Sequence, residues 1–283
     1  MSANHAAFNL IFRFVENYIS PVAGRISSQR HVMAIRDGFI SAMPFMIVGS
    51  FLLVFAYPPF SPDTTWGFAR AWLDLAKEFE GRILTPFDMT MGIMSIYICA
   101  AISYNLGKHY EKAHQLDPFM CAMLSIMAFL LIAAPKTNGN LPVDSLGGTG
   151  IFTAILVAIY CVEMMRFLKA HNIGIRLPDQ VPPMIKNSFD LLIPVLVVVL
   201  TLYPLSLFIQ HHFDMLIPQA IMAIFKPLVS AADSLPAILL AVLIGHLLWF
   251  AGIHGAAIVS GMLQMFWLTN LGMNQQALAQ GAP

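Results

Sequence analysis

Six windows, 38–57, 86–107, 117–135, 150–167, 191–209 and 235–253, each hold 18 to 22 largely apolar residues with few charges. An α-helix rises 1.5 Å per residue, so a bilayer core of about 30 Å is crossed by roughly 20 such residues. The windows therefore predict an all-α, polytopic helical membrane protein with about six or seven membrane segments. A shorter seventh window, 256–271, reads as a span or a re-entrant piece. Composition agrees: 58% of residues are apolar and 11% charged, where a soluble domain carries about a quarter charged. Lipid is the solvent this chain requires.

Lys and Arg counts orient the spans. With the N-terminus in the cytoplasm, ten basic residues lie inside (Arg13, Arg25, Arg30, Arg36, Lys108, Lys112, Arg166, Lys169, Arg176, Lys186) and five outside (Arg70, Lys77, Arg82, Lys136, Lys226), the direction of the positive-inside rule. Phe8, Ile11, Phe12, Val15, Tyr18 and Ile19 recur at helical spacing and predict an interfacial helix within 1–36, ended by Pro21 and Gly24. In 58–85, Ala69, Trp72, Leu73, Ala76 and Phe79 share one face, the pattern of a helix on the membrane surface. Residues 214–229 are apolar, short for a span and interrupted by Pro218 and Pro227, and read as a horizontal connector.

Several function classes are excluded. Formal net charge is zero, so no field recruits nucleic acid. Cys99, Cys121 and Cys161 sit in apolar stretches without CxxC spacing and read as packing residues. Phosphate-loop, dinucleotide, HExxH and GxSxG motifs are absent. No cofactor, metal ligand or catalytic residue is expected.

Ionisable groups within spans are costly and mark candidate sites. Asp37, Asp88, Asp117 and Asp190 fall at window edges, where helix capping accounts for them. Glu163 and Arg166, three apart, read as a local ion pair. From Ser234 onward no Asp, Glu, Lys or Arg occurs, leaving His246 and His254 as the ionisable side chains. His246 reads as a packing histidine. His254 is bracketed by Gly252 and Gly255 in Trp249-Phe250-Ala251-Gly252-Ile253-His254-Gly255, which favours a helix break. Irregular backbone at membrane depth is tolerated where it lines a cavity. An imidazole there can bond a hydroxyl, and Trp249 offers a flat apolar face to a sugar ring. Between the fourth and fifth windows, Pro178, Pro182 and Pro183 force extended backbone, read equally as a rigid connector or a gating surface, with Asn187 and Ser188 placed to cap the next helix.

The Gly252-Ile253-His254-Gly255 run after Trp249, Val181-Pro182-Pro183 followed by Asn187-Ser188-Phe189, Arg36-Asp37-Gly38-Phe39 and Met43-Pro44 resemble the enzyme IIC permeases of the lactose, cellobiose and diacetylchitobiose group of the phosphotransferase system. Stretches 24–62 and 177–189 look most like its N,N'-diacetylchitobiose-specific members. The resemblance implies a homodimeric permease of the bacterial inner membrane. It would carry a β-linked disaccharide for phosphorylation by a separate IIB protein, itself charged through IIA. It implies a five-span dimerisation half at 37–209, a connector at 210–233 and the start of the sugar-binding half at 234–283. His254, with Trp249, Gly252 and Gly255, would bind substrate by orienting the hydroxyl to be phosphorylated, carrying no phosphoryl group itself.

Members of that group hold a further sugar-site glutamate in an Asn-Glu-Pro motif. Here Glu16, Glu78, Glu80, Glu111 and Glu163 all precede the sugar-binding half, so the chain is expected to be incomplete at its C-terminal side. Two other readings stand beside the permease: a non-transporting membrane fragment that dimerises, and an ion-coupled secondary transporter.

Overall fold

The computed structural model describes residues 13, 16–17, 20–136, 139–175, 178, 180–182, 185, 189–250 and 255–279. Its elements are α1 (Ser20–Ser27), α2 (Arg30–Ala56), α3 (Gly67–Asp88), α4 (Met94–His114), α5 (Pro118–Ala133), α6 (Ile151–Ala170), entered through a 3₁₀ turn at Gly148–Gly150, α7 (Leu192–Phe213), α8 (Ile217–Ala232), α9 (Leu235–Phe250) and α10 (Gly255–Ala279). No β-strand occurs among the described residues, and the fold is all-α.

α4 and α6 form the middle of the bundle. α4 packs on α2, α5 and α6, while α6 also meets α7 and α8. Ile98, Cys99 and Ile102 of α4 and Ala154, Ala158 and Cys161 of α6 are fully buried, at the three- and four-residue spacing that puts them on one helix face. Small residues let the helices approach. Gly107 faces Cys121 and Pro118 of α5, where an added Cβ would sit 3.0 to 3.1 Å from their atoms. This is the small-residue packing of membrane helices. Ser103, buried in α4, donates its hydroxyl to the Cys99 carbonyl one turn back at 2.8 Å, and Ser95 Oγ donates across to Gly147 O.

The outside is as apolar as the inside. Phe51 on α2 is 63% exposed and Leu200 on α7 64%, an arrangement that water would penalise and hydrocarbon solvates. Helices Arg30–Ala56, Gly148–Ala170 and Leu192–Phe213 have the length and hydropathy to cross a membrane. α8 and α9 pass that test together as a pair bent by 72°.

Element boundaries depart from the hydropathy windows where polar groups find local partners. Window 86–107 is two elements: Pro86 to Asp88 close α3, and a turn precedes α4. The turn is held by Thr90 Oγ1 donating to Pro86 O and Tyr97 Oη donating to Met89 O. α2 starts at Arg30, eight residues before its window, because Arg36 and Asp37 pair with each other at 2.8 Å and Gln29 Oε1 caps the Val32 amide. Window 256–271 lies inside the 25-residue α10, whose end is polar but uncharged. Pro21 and Gly24 lie within α1; the interruption comes at Ser28 and Gln29, where Ser27 and Ser28 hydroxyls take the carbonyls of Gly24 and Arg25. The stripe from Phe8 to Ile19, and Asn187 and Ser188, fall outside the described residues.

The amphipathic face of α3 packs on α2. Ala69 and Ala76 are buried, Trp72 Nε1 donates to Phe55 O at 3.2 Å, and Tyr57 Oη donates to Glu80 at 2.9 Å. Asp117 caps α5, its Oδ1 accepting from Phe119 N at 2.8 Å and Met120 N at 3.2 Å. Asp190 accepts from Lys169 Nζ at 2.9 Å.

One end of the bundle is closed by a knot around Glu163. Arg166 pairs with its Oε2 at 2.6 Å, as the spacing predicted. Oε1 also accepts from Tyr110 Oη of α4 at 2.7 Å and from His31 Nε2 of α2 at 2.9 Å. Gln29 sets the His31 tautomer: its Oε1 is committed to the Val32 amide, so its Nε2 donates to Nδ1 at 2.7 Å. Glu163→Ala leaves donors from three helices without an acceptor. Discounted for partial exposure, the loss is about 1–2 kcal/mol. A thermal-unfolding midpoint several degrees below the parent, with Glu163→Gln intermediate, is the expected result in detergent.

Candidate functional site

The uncharged C-terminal part of the chain folds as a hairpin of α9 and α10. α9 buries a narrow face, Ala241, Gly245 and Leu248, with Ala241 and Leu248 joining Val259 of α10 in a small apolar cluster. Ile244 packs partly buried beside them, and Leu239 and Leu243 are exposed. His246 is exposed, and its Nδ1 donates to Val242 O at 2.8 Å, one turn back on the same helix. Trp249 lies in the last turn of α9, 54% exposed, and Gly255 opens α10. Gly252 and His254 belong to 251–254, outside the described residues.

α10 is fixed against the bundle by uncharged polar groups and bare backbone. It runs parallel to α2. Near its end Gln275 Nε2 donates to Ser50 Oγ at 3.4 Å, and earlier Gln264 and Leu268 share a 360 Å³ groove with Met43 and Met46. Its N-terminal end therefore lies toward the Arg30 end of α2, where the Glu163 knot sits. Asn270 Nδ2 donates to Val229 O at 3.2 Å, tying in α8, and Phe225 of α8 stacks on Phe152 of α6 with centroids 4.3 Å apart. Gly272 meets Gly148 backbone to backbone, with no room for a side chain on either.

The family model "Phosphotransferase system, EIIC" matches residues 36–283. The chain belongs to that family.

Among EIIC relatives, the PTS system cellobiose-specific EIIC component of Geobacillus stearothermophilus is 33% identical over 95% of this chain and 61% of its own length. The Lichenan permease IIC component of Bacillus subtilis (strain 168) is 30% identical over 96% of this chain and 62% of its own. The crystal structure of the transporter ChbC, the IIC component from the N,N'-diacetylchitobiose-specific phosphotransferase system, superposes with a TM-score of 0.81. It is 32% identical, covering 95% of this chain and 64% of that one. The chain thus spans about three fifths of these EIIC proteins. As an EIIC protein it is an integral membrane protein.

Motif reading singled out the glycines around His254 and passed over Ser50, Asn270 and Gln275, which hold α10 in place. Uncharged polar residues on an apolar helix carry no charge signal. Their signal is periodicity: Gln264, Leu268, Leu271 and Gln275 recur at i, i+4, i+7 and i+11, one helix face. At Gly272 an added Cβ would lie 2.6 Å from Met94 Cε and 2.7 Å from Gly148 Cα, and the second of these cannot yield. Gly272→Val is therefore expected to lift α10 from the bundle and cost about 1–3 kcal/mol. A thermal-unfolding midpoint in detergent several degrees below the parent is the expected result.

Proposed function

We propose that this chain is the sugar-translocating component of a bacterial phosphotransferase system. It takes up a β-linked disaccharide such as cellobiose or N,N'-diacetylchitobiose for phosphorylation by a separate IIB protein charged through IIA. The observation that carries this reading is the EIIC match over residues 36–283, joined to the structural likeness to ChbC over 95% of the chain. The hairpin supports it physically. Trp249, about half exposed, precedes a glycine-rich stretch, and no formal charge follows Asp233, a setting suited to a neutral hydroxylated ligand. His254, with Gly252 and Gly255 giving close backbone approach, orients the hydroxyl that receives phosphate. The phosphoryl group passes from IIB to the sugar without a carrier residue on this chain.

The same reading places the chain in the inner membrane with a cytoplasmic N-terminus. A dimerisation half at 37–209 works as a homodimer scaffold, 1–36 lies at the interface, 210–233 connects, and 234–283 begins the sugar-binding half. Uptake of radiolabelled cellobiose and diacetylchitobiose by permease-deficient cells expressing the chain with IIA and IIB tests the function. Phosphorylated sugar should accumulate and fall at least tenfold in His254→Ala. Unmodified sugar inside would point to ion-coupled transport, and no uptake by inserted protein to a non-transporting module.

Topology is tested by cysteine accessibility, since Cys99, Cys121 and Cys161 are buried. Gly81→Cys, at a position with open space around its Cβ, should react with an impermeant thiol reagent in spheroplasts. Lys112→Cys, exposed at the other end of the bundle, should react only after lysis. The reverse pattern would invert the proposed orientation.

A further inference from the structure

The start of α10 lies beside the Glu163 knot. Arg30 precedes Ser50 by twenty residues of α2, and Gly255 precedes Gln275 by twenty residues of α10, each roughly 30 Å at 1.5 Å per residue. With Gln275 bonded to Ser50 and the two helices parallel, Arg30 and Gly255 stand at about the same level. α1 completes the group, packing on both α2 and α10. His254 immediately precedes Gly255 in the chain.

Charge does not balance at this end. Glu163 is the one carboxylate of the knot, and Arg166 occupies its Oε2. His31 is neutral there, its Nδ1 accepting from Gln29 while Nε2 donates to Glu163. Arg30 enters as a second arginine: its Cζ lies 5.6 Å from the centroid of the Tyr110 ring, and that of Arg166 lies 5.2 Å from the same centroid. Two guanidiniums thus share one ring and one glutamate, which leaves a surplus of one positive charge. Asp37, the nearest acid in sequence, is taken by Arg36. Among the described residues neither Arg30 nor Arg25 of α1 pairs with a carboxylate, and both are exposed.

An aromatic face orients a guanidinium without neutralising it, so Arg30 keeps its charge for an anion. Tyr110 is buried and belongs to α4, in the middle of the bundle. The ring therefore draws Arg30 over the bundle end, where a soluble partner approaches, and away from the lipid headgroups around the rim. Guanidinium binds phosphate through paired N–H donors, and a protein-bound phosphoryl group brings about −1.5 to −2 charges.

We infer that Arg30 and Arg25 form the docking patch for phosphorylated IIB, receiving its phosphoryl group beside the start of α10. The inference rests on the permease reading and adds the place where the phosphoryl donor lands. A donor seated there offsets the surplus charge of the knot and stands next to the helix that His254 immediately precedes.

The test is equilibrium binding of purified IIB, before and after charging through IIA, to the full chain in nanodiscs, with binding of radiolabelled cellobiose measured in parallel. Charged IIB should bind the parent chain more tightly than uncharged IIB. Arg25→Gln combined with Arg30→Gln should weaken charged IIB about tenfold, the loss expected for two exposed charge-assisted contacts. Uncharged IIB and cellobiose should bind that variant as they bind the parent. Arg25→Gln alone, on an exposed position, should weaken charged IIB by about two- to fivefold without moving the thermal-unfolding midpoint. Arg30→Lys, which keeps the charge, should retain most of the affinity, and Lys77→Gln, exposed on α3 at the other end, should change nothing. Unchanged affinity for charged IIB in the double variant overturns the docking patch and leaves the permease reading standing. A loss that vanishes in nanodiscs of uncharged lipid also overturns it, assigning the arginines to lipid headgroups. The permease reading fails on a different result, unmodified sugar in the uptake assay.

Discussion

Hydrocarbon cannot hydrogen-bond a peptide group, and the structure follows from that constraint. Each backbone amide and carbonyl at membrane depth must be satisfied within the chain, which leaves long helices as this fold's working element. Lipid does not push apolar helices together as water does, so contact must come from close fit and local polar bonds. The bundle uses both. Gly107 admits α5 to α4, Gly148 and Gly272 bring α10 onto the 3₁₀ turn, Ser103 returns its hydroxyl to a carbonyl of its own helix, and Ser95 donates across to Gly147 O.

Charge is handled by segregation. The Glu163 knot gathers α2, α4 and α6 at one end, where a carboxylate saturated by arginine, tyrosine and histidine holds three helices in register. From Ser234 onward formal charge is absent, and attachment depends on amides: Asn270 to Val229 and Gln275 to Ser50. Such bonds are individually modest, so α10 is held mainly by shape at the Gly148–Gly272 contact.

How much could be read from residues alone differs by element. The apolar windows announced the spans because transfer to lipid is dominated by side-chain hydropathy, a property local in sequence. Asp117 as a cap and Glu163–Arg166 as a pair were legible for the same reason: each involves residues two to four apart. Window 86–107 misled because hydropathy averages across a break, whereas Thr90 and Tyr97 close a turn inside it. His31 meeting Glu163 was invisible, the two being 132 residues apart.

The glycines around His254 read as an irregular segment between α9 and α10, a property of the residues themselves, and residues 251–254 lie outside the described residues. Sequence by itself determined the solvent this protein needs and its helical class. Tertiary structure alone decided that α10 runs along α2, that Gly272 seats on Gly148, and that Arg30 and Arg166 share the Tyr110 ring. The reason is physical: hydropathy and backbone freedom belong to a residue and its near neighbours. Which distant polar atoms come to share a space is set only when the helices pack.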